Sequence, residues 1–184
     1  MSQSIRVLRL LALPLLFWVS ASIAQEPETT VNEGMTNQRL GQLLERLDEN
    51  TEGQPGSWRF TIDGVQVLLV TDARADRMRI FTPIGEFTQE DLPPELLFRM
   101  LQANFDSALD ARYAIAKGTL WSVYIHPLSP LTDRQFLSGI AQTINLVRTF
   151  GTTFNSGALT FGGGDSQEKN QKLFEELLKR GEVL

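Results

Sequence analysis

The chain has 184 residues, with 17 Lys+Arg, 22 Asp+Glu, one His and no Cys, giving a formal net charge of −5. The absence of Cys excludes a disulfide scaffold, a thiolate metal site and a Cys nucleophile, and the acidic balance argues against a nucleic-acid binder, which needs a basic face. A hydrophobic fraction of 42% with 11 Phe can fill the core of one domain, whereas the lone His126 removes the commonest general base from almost every catalytic constellation.

The chain opens on Arg6 and Arg9 with no acid before or between them, followed by an apolar run from Leu10 to Val19. Small residues Ser22 and Ala24 then stand just before Gln25. This is the three-part layout of a secretory signal peptide over 1–24, with cleavage between Ala24 and Gln25. The apolar run is shorter than the ~20 residues a spanning helix needs, so no stable membrane insertion is expected after cleavage. Export predicts a periplasmic or secreted location. A secreted domain without Cys depends on its core alone for stability.

Residues 25–35 are polar and read as a flexible arm, and 36–156 read as the folded domain. Thr36 predicts a helix N-cap, and Leu40, Leu43, Leu44 and Leu47 place one apolar stripe on the helix that follows. Gly53, Pro55 and Gly56 break it. Trp58, Phe60 and Ile62 alternate with polar residues as a half-buried strand, Asp63-Gly64 predicts a tight hairpin, and Val65 to Thr71 reads as a central strand. Met78 to Thr82 predicts a third strand. Asp91 to Glu95 opens a helix carrying Leu96, Leu97, Met100 and Leu101. Two further strands meet at Lys117-Gly118. A long helix follows, capped at Thr132 or Asp133 and striped by Phe136, Leu137, Ile140, Ile144 and Val147. Gly139 inside it predicts close packing, because Gly weakens a helix relative to Ala. A Gly-rich linker is expected over 157–165 and a terminal helix over 166–184. The predicted class is α+β, in the order α-β-β-β-α-β-β-α: an antiparallel sheet with helices on one face, plus a tethered C-terminal helix.

Three stretches carry a family likeness: Leu96 to Phe105, whose Met100-Leu101-x-x-Asn104 is like the family's Leu-Leu-x-x-Asn helix ending, Ala111 to Ala116, and Leu120 to Leu128 before the long helix. On these and on element order, residues 40–154 resemble the Tir-chaperone family, the class I type III secretion chaperones, and their YbjN-like relatives. The resemblance implies a non-enzymatic homodimer that holds a protein or peptide client across apolar patches on the first helix and the sheet. Members of the secretion-chaperone branch work in the cytoplasm, so the export signal and the terminal helix set this chain apart.

The residues expected to bind a partner are Leu40, Leu43, Leu44 and Leu47 on the first helix, and Trp58, Phe60 and Ile62 on the first strand if that strand is an edge. The net acidity would suit a basic partner. No cofactor, metal or catalytic set emerges. Ser122 and His126 share a strand face but stand ~13 Å apart at ~3.3 Å per residue, and Asp106, Asp110 and Asp133 suit turns and caps. Gly162-Gly163-Gly164 lacks the Lys-Ser/Thr of a phosphate loop. The rival readings are a small periplasmic ligand-binding protein or hydrolase near His126 and Tyr124, or a structural or regulatory envelope protein.

Overall fold

The computed structural model describes residues 34–88, 91–106, 109–151 and 165–181. The leader with its cleavage point, the arm up to residue 33, most of the Gly-rich linker and residues 182–184 lie outside the described residues.

Helix α1 (Asn37–Leu47) starts at Thr36, whose hydroxyl accepts the Arg39 N–H at 3.1 Å. Met35 precedes the cap and Leu40 sits one turn inside, both buried in the same core, as in a hydrophobic staple. The expected arm therefore ends earlier than Met35. The backbone N–H of Met35 donates to the Ser129 carbonyl at 3.1 Å, and burial of its side chain ties the chain down there.

Six strands follow the order β1-β2-β3-β4-β6-β5, with every neighbouring pair antiparallel. They are β1 (Glu52–Gln54), β2 (Ser57–Ile62), β3 (Val65–Asp72), β4 (Arg77–Glu86), β5 (Arg112–Ala116) and β6 (Thr119–His126). Strand β1 is absent from the sequence expectation. All three of its residues are exposed, so no alternation betrays it. Strand β4 also runs four residues beyond Thr82, because a register shift between Pro83 and Gly85 lets it continue past a Pro.

The two predicted hairpin turns form. Asp63 and Gly64 lie at φ 48° and 78°, and Lys117 and Gly118 at 54° and 73°. Both pairs have the left-handed conformation that a two-residue turn needs to match strand twist.

Helices α2 (Pro94–Asp106), α3 (Asp133–Thr149) and α4 (Asp165–Gly181) complete the order. Thr132 caps α3 through a reciprocal pair with Gln135. Helices α1, α3 and α4 share one core with Trp58, Phe60, Val67, Leu69, Met78 and Ile80 of the sheet, and α2 packs with Tyr113 of β5 and Leu120 of β6 in a second cluster. Gly139 of α3 meets Tyr124 in the first of these. A Cβ at that position would lie 2.7 Å from the Tyr124 ring and 3.1 Å from Ile80. Helix α4 seats Leu173 and Leu177 against α1 and α3. Its Arg180 and the Arg148 of α3 both reach Asp63 in the β2–β3 turn, at 3.2 and 3.4 Å.

Two of the buried polar side chains stand out. Thr82 and Ser122 face each other across β4 and β6, fully buried, and neither hydroxyl has a hydrogen-bond partner.

Candidate partner-binding surfaces

The seven expected partner-binding residues come together, but in the interior. Leu40, Leu43, Leu44, Leu47, Trp58, Phe60 and Ile62 are each 0–7% exposed in one cluster. The apolar stripe of α1 faces inward, as a one-sided helix normally does. Strand β2 is not an edge, because β1 pairs with it, and its apolar side faces the helices. In this fold a partner meets none of the seven directly.

Side chains hold backbone groups of β5, an edge strand, and of β2 beyond β1. At β5 the backbone of Tyr113 points away from β6, and Asn104 of α2 grips it twice. The Asn104 Oδ1 accepts the Tyr113 N–H at 2.8 Å, and its Nδ2 donates to the Tyr113 carbonyl at 3.2 Å. Gln142 of α3 accepts the neighbouring N–H groups of Asp110 and Ala111 at 2.8 and 3.1 Å. At the other side the Asp48 carboxylate accepts the Thr61 N–H of β2 at 2.8 Å, beyond the end of β1. That bond, the largest cause, and those from Asn50 hold the Asp48 carboxyl below its ordinary range, against a desolvation that raises it. Adding a strand from a partner at β5 needs the Tyr113 backbone groups that Asn104 holds, so the fold disfavours this mode at the β5 edge.

Apolar surface is left open in two other places. The first is α2, which has two apolar sides. Met100 and Ala103 are buried against β5 and β6 residues, while Phe98, Leu101 and Phe105 remain 68%, 64% and 75% exposed. These last three recur at i, i+3 and i+7, one stripe facing away from the core. Exposed Ile115 lies on neighbouring β5.

The second is the other face of the sheet. Leu68, Val70, Phe81, Pro83, Trp121 and Val123 are half-buried there and Ile125 is exposed. The rings of Phe81 and Trp121 meet edge to face at 5.4 Å between centroids. Single-residue alternation along a strand puts these side chains opposite the core residues. The sequence signal for this face was present in Leu68, Val70 and Val123, which break the polar half of the pattern.

The remaining candidate groups do not assemble. His126 Nδ1 stands 2.7 Å from the Pro127 carbonyl, and its ring stacks on Tyr124 at 6.0 Å. The Tyr124 phenol is pushed up to about 12, first by burial and then by the Asp110 charge, so it does not ionise near neutral pH. Asp133 forms a two-pronged pair with Arg39 at 2.7 Å, and Asp110 contacts the Gln142 side chain at 3.4 Å. The side chain of Asp106 and residues Gly162–Gly164 lie outside the described residues. Among the described residues no three His, Asp or Glu side chains are grouped to hold a metal ion, and no helix is long and apolar enough to cross a membrane.

No family model and no curated protein matches the chain. Among solved structures, it is similar to a chain of the HopA1-SchA chaperone-effector complex, with 18% identity and a TM-score of 0.46 over 64% of this chain and 96% of that one.

Proposed function

We propose that this chain is an exported, non-enzymatic protein-binding module that holds a protein or peptide partner and works as a homodimer. The observation that supports partner binding is the apolar sheet face lying opposite a complete core. Contiguous apolar surface of this kind marks an interaction site in a protein that already has its core. The sequence resemblance to the Tir-chaperone family points the same way. For the homodimer the support is the outward stripe of α2. A helix apolar on both sides is stable in water only when both are covered, and a second α2 across a two-fold axis would cover it with an identical stripe. Export rests on the leader of residues 1–24, and the location proposed is the periplasm or the exterior.

Light scattering on protein expressed from the full sequence tests the dimer. Wild type is expected at twice the chain mass, and Leu101→Glu with Phe105→Glu at the single mass with its circular dichroism unchanged. A wild-type monomer that also retains no polypeptide from a periplasmic extract would end the proposal. A reporter fused after residue 30 tests export, and retention of the reporter in the cytoplasm would remove that part.

A further inference from the structure

The bare sheet face is not uniformly apolar, and the placement of its charges identifies a partner. The central register row runs Arg59–Leu68–Phe81–Val123–Arg112 across five strands. Three apolar side chains stand in a line with a guanidinium at each end. At ~4.8 Å between strands the two ends are ~19 Å apart. The next row places exposed Arg79 between Val70 and exposed Ile125, beside a shallow hollow of about 450 Å³.

These cations are mostly uncommitted. Arg79 has no ion pair among the described residues, and Arg59 reaches Glu52 only at 3.9 Å with both side chains largely exposed. Arg112 is steadied by the carbonyls of Leu109 and Ala111, which leave its charge uncompensated. Of the acids on this face, Glu52 and Glu86 stand at its margins, and Asp72 lines the hollow with Arg77, its partner in register, and Arg79. A protein of net charge −5 thus turns arginines toward its one bare sheet face.

We propose that this face binds a polypeptide segment whose short apolar core is flanked by carboxylates. The inference rests on the reading of the chain as a protein-binding module and names its partner's chemistry. The apolar core would lie on Leu68, Phe81 and Val123, and the flanking acids would meet Arg59, Arg79 and Arg112. Arginine offers a planar fork that suits carboxylates. Trp, Phe and Arg together, with Lys absent from the strands, are the composition of a protein interface. A face binding anionic lipid or nucleic acid would need a continuous field of cations, whereas the arginines of this face, Arg59, Arg77, Arg79 and Arg112, stand singly along its apolar rows among the acids Glu52, Asp72 and Glu86. The overall acidity of the chain suggests a basic partner; the local field at the bare face selects the reverse.

The test uses the full protein and Trp121 fluorescence, with Trp58, buried on the other face, and Trp18 as background common to every sample. Two synthetic peptides share one apolar core, one flanked by glutamates and one by lysines. The glutamate peptide is expected to bind and the lysine peptide to bind roughly tenfold more weakly, since opposed charges across an interface set the choice of partner. Arg59→Glu with Arg79→Glu should invert that order, and Lys172→Glu on exposed α4 should leave it unchanged. Equal binding of both peptides, lost in Val123→Asp, would overturn the charge preference and leave the protein-binding reading standing. Failure of both peptides to bind, or a Trp121 response to phosphatidylserine vesicles alone, would overturn both.

Discussion

The two faces of the sheet are made by the same strands, yet they ended with different fates. On one face Trp58, Phe60, Leu69 and Ile80 are closed under α1, α3 and α4. On the other, Leu68, Phe81 and Val123 stand in register with arginines at each end of the row. Apolar content alone does not separate them. What separates them is charge, because an arginine can border a surface that a partner covers but not a core closed by its own helices. The same contrast divides α1 from α2. The leucines of α1 all turn inward, whereas α2 keeps Phe98, Leu101 and Phe105 outside.

The sharpest way to break this contrast is to truncate one aromatic on each face. Phe60 is 1% exposed, and Phe60→Ala is expected to lose about 3–5 kcal/mol in urea unfolding. Phe81 is half-buried on the bare face, and Phe81→Ala should lose well under half of that. Equal losses would mean that the bare face is as much a part of the stabilising core as the covered one.

The close packing of α3 on the covered face gives the next effect. A methyl at Gly139 would press on the Tyr124 ring at 2.7 Å. Gly139→Ala gains about 1 kcal/mol of helix propensity but overpacks a filled interior, which typically costs about 1–3 kcal/mol. A net fall in melting temperature is expected, and a rise would show that α3 can lift away from the sheet without loss.

At the β5 edge, Asn104→Ala removes both bonds to Tyr113. A loss of about 1–2 kcal/mol follows from two hydrogen bonds at ~1 kcal/mol each. The freed backbone should also promote association by strand pairing, visible as a concentration-dependent rise in scattering mass beyond that of the wild type. Unchanged mass would show that Asn104 serves stability alone.

Much of this was legible in the chain and some of it was not, for physical reasons. The caps at Thr36 and Thr132, the Asp63-Gly64 and Lys117-Gly118 turns and the tight site at Gly139 all depend on local chemistry, which a sequence carries directly. Strand β1 has no buried face and so leaves no periodic trace. The direction of an apolar stripe is also not local. Leu40 to Leu47 and Phe98 to Phe105 look alike as sequence, and only the packing of the other elements decides that the first is core and the second is surface. Asn104 belonged to a recognised motif, but its double bond to a strand edge appears only once α2 and β5 are side by side.

Inside the covered face, the buried Thr82 and Ser122 hydroxyls have no partner. Replacing both by apolar groups of similar shape removes two desolvated polar groups together. Thr82→Val with Ser122→Ala should therefore be neutral or stabilising by up to about 1 kcal/mol, measured by urea unfolding. A clear loss would mean that the pair has a role that its surroundings do not reveal.

The smallest effect belongs to Asp48 beside β2. Its carboxyl is held below its ordinary range, chiefly by the Thr61 N–H and further by Asn50. The folded-state value is lowered, so the stabilisation is fully present above the unfolded value near 4. It is lost as pH falls through the folded value, because the unfolded chain then binds the proton more readily. Asp48→Asn should consequently weaken the fold at pH 7 and narrow the gap between wild type and variant as pH drops below about 4. The amide oxygen can still accept the Thr61 N–H, so only the charge-dependent part disappears. Melting temperatures of the two proteins at pH 7 and pH 3 check the sign. A gap that widens in acid would show that Asp48 does not act as a carboxylate cap on this strand.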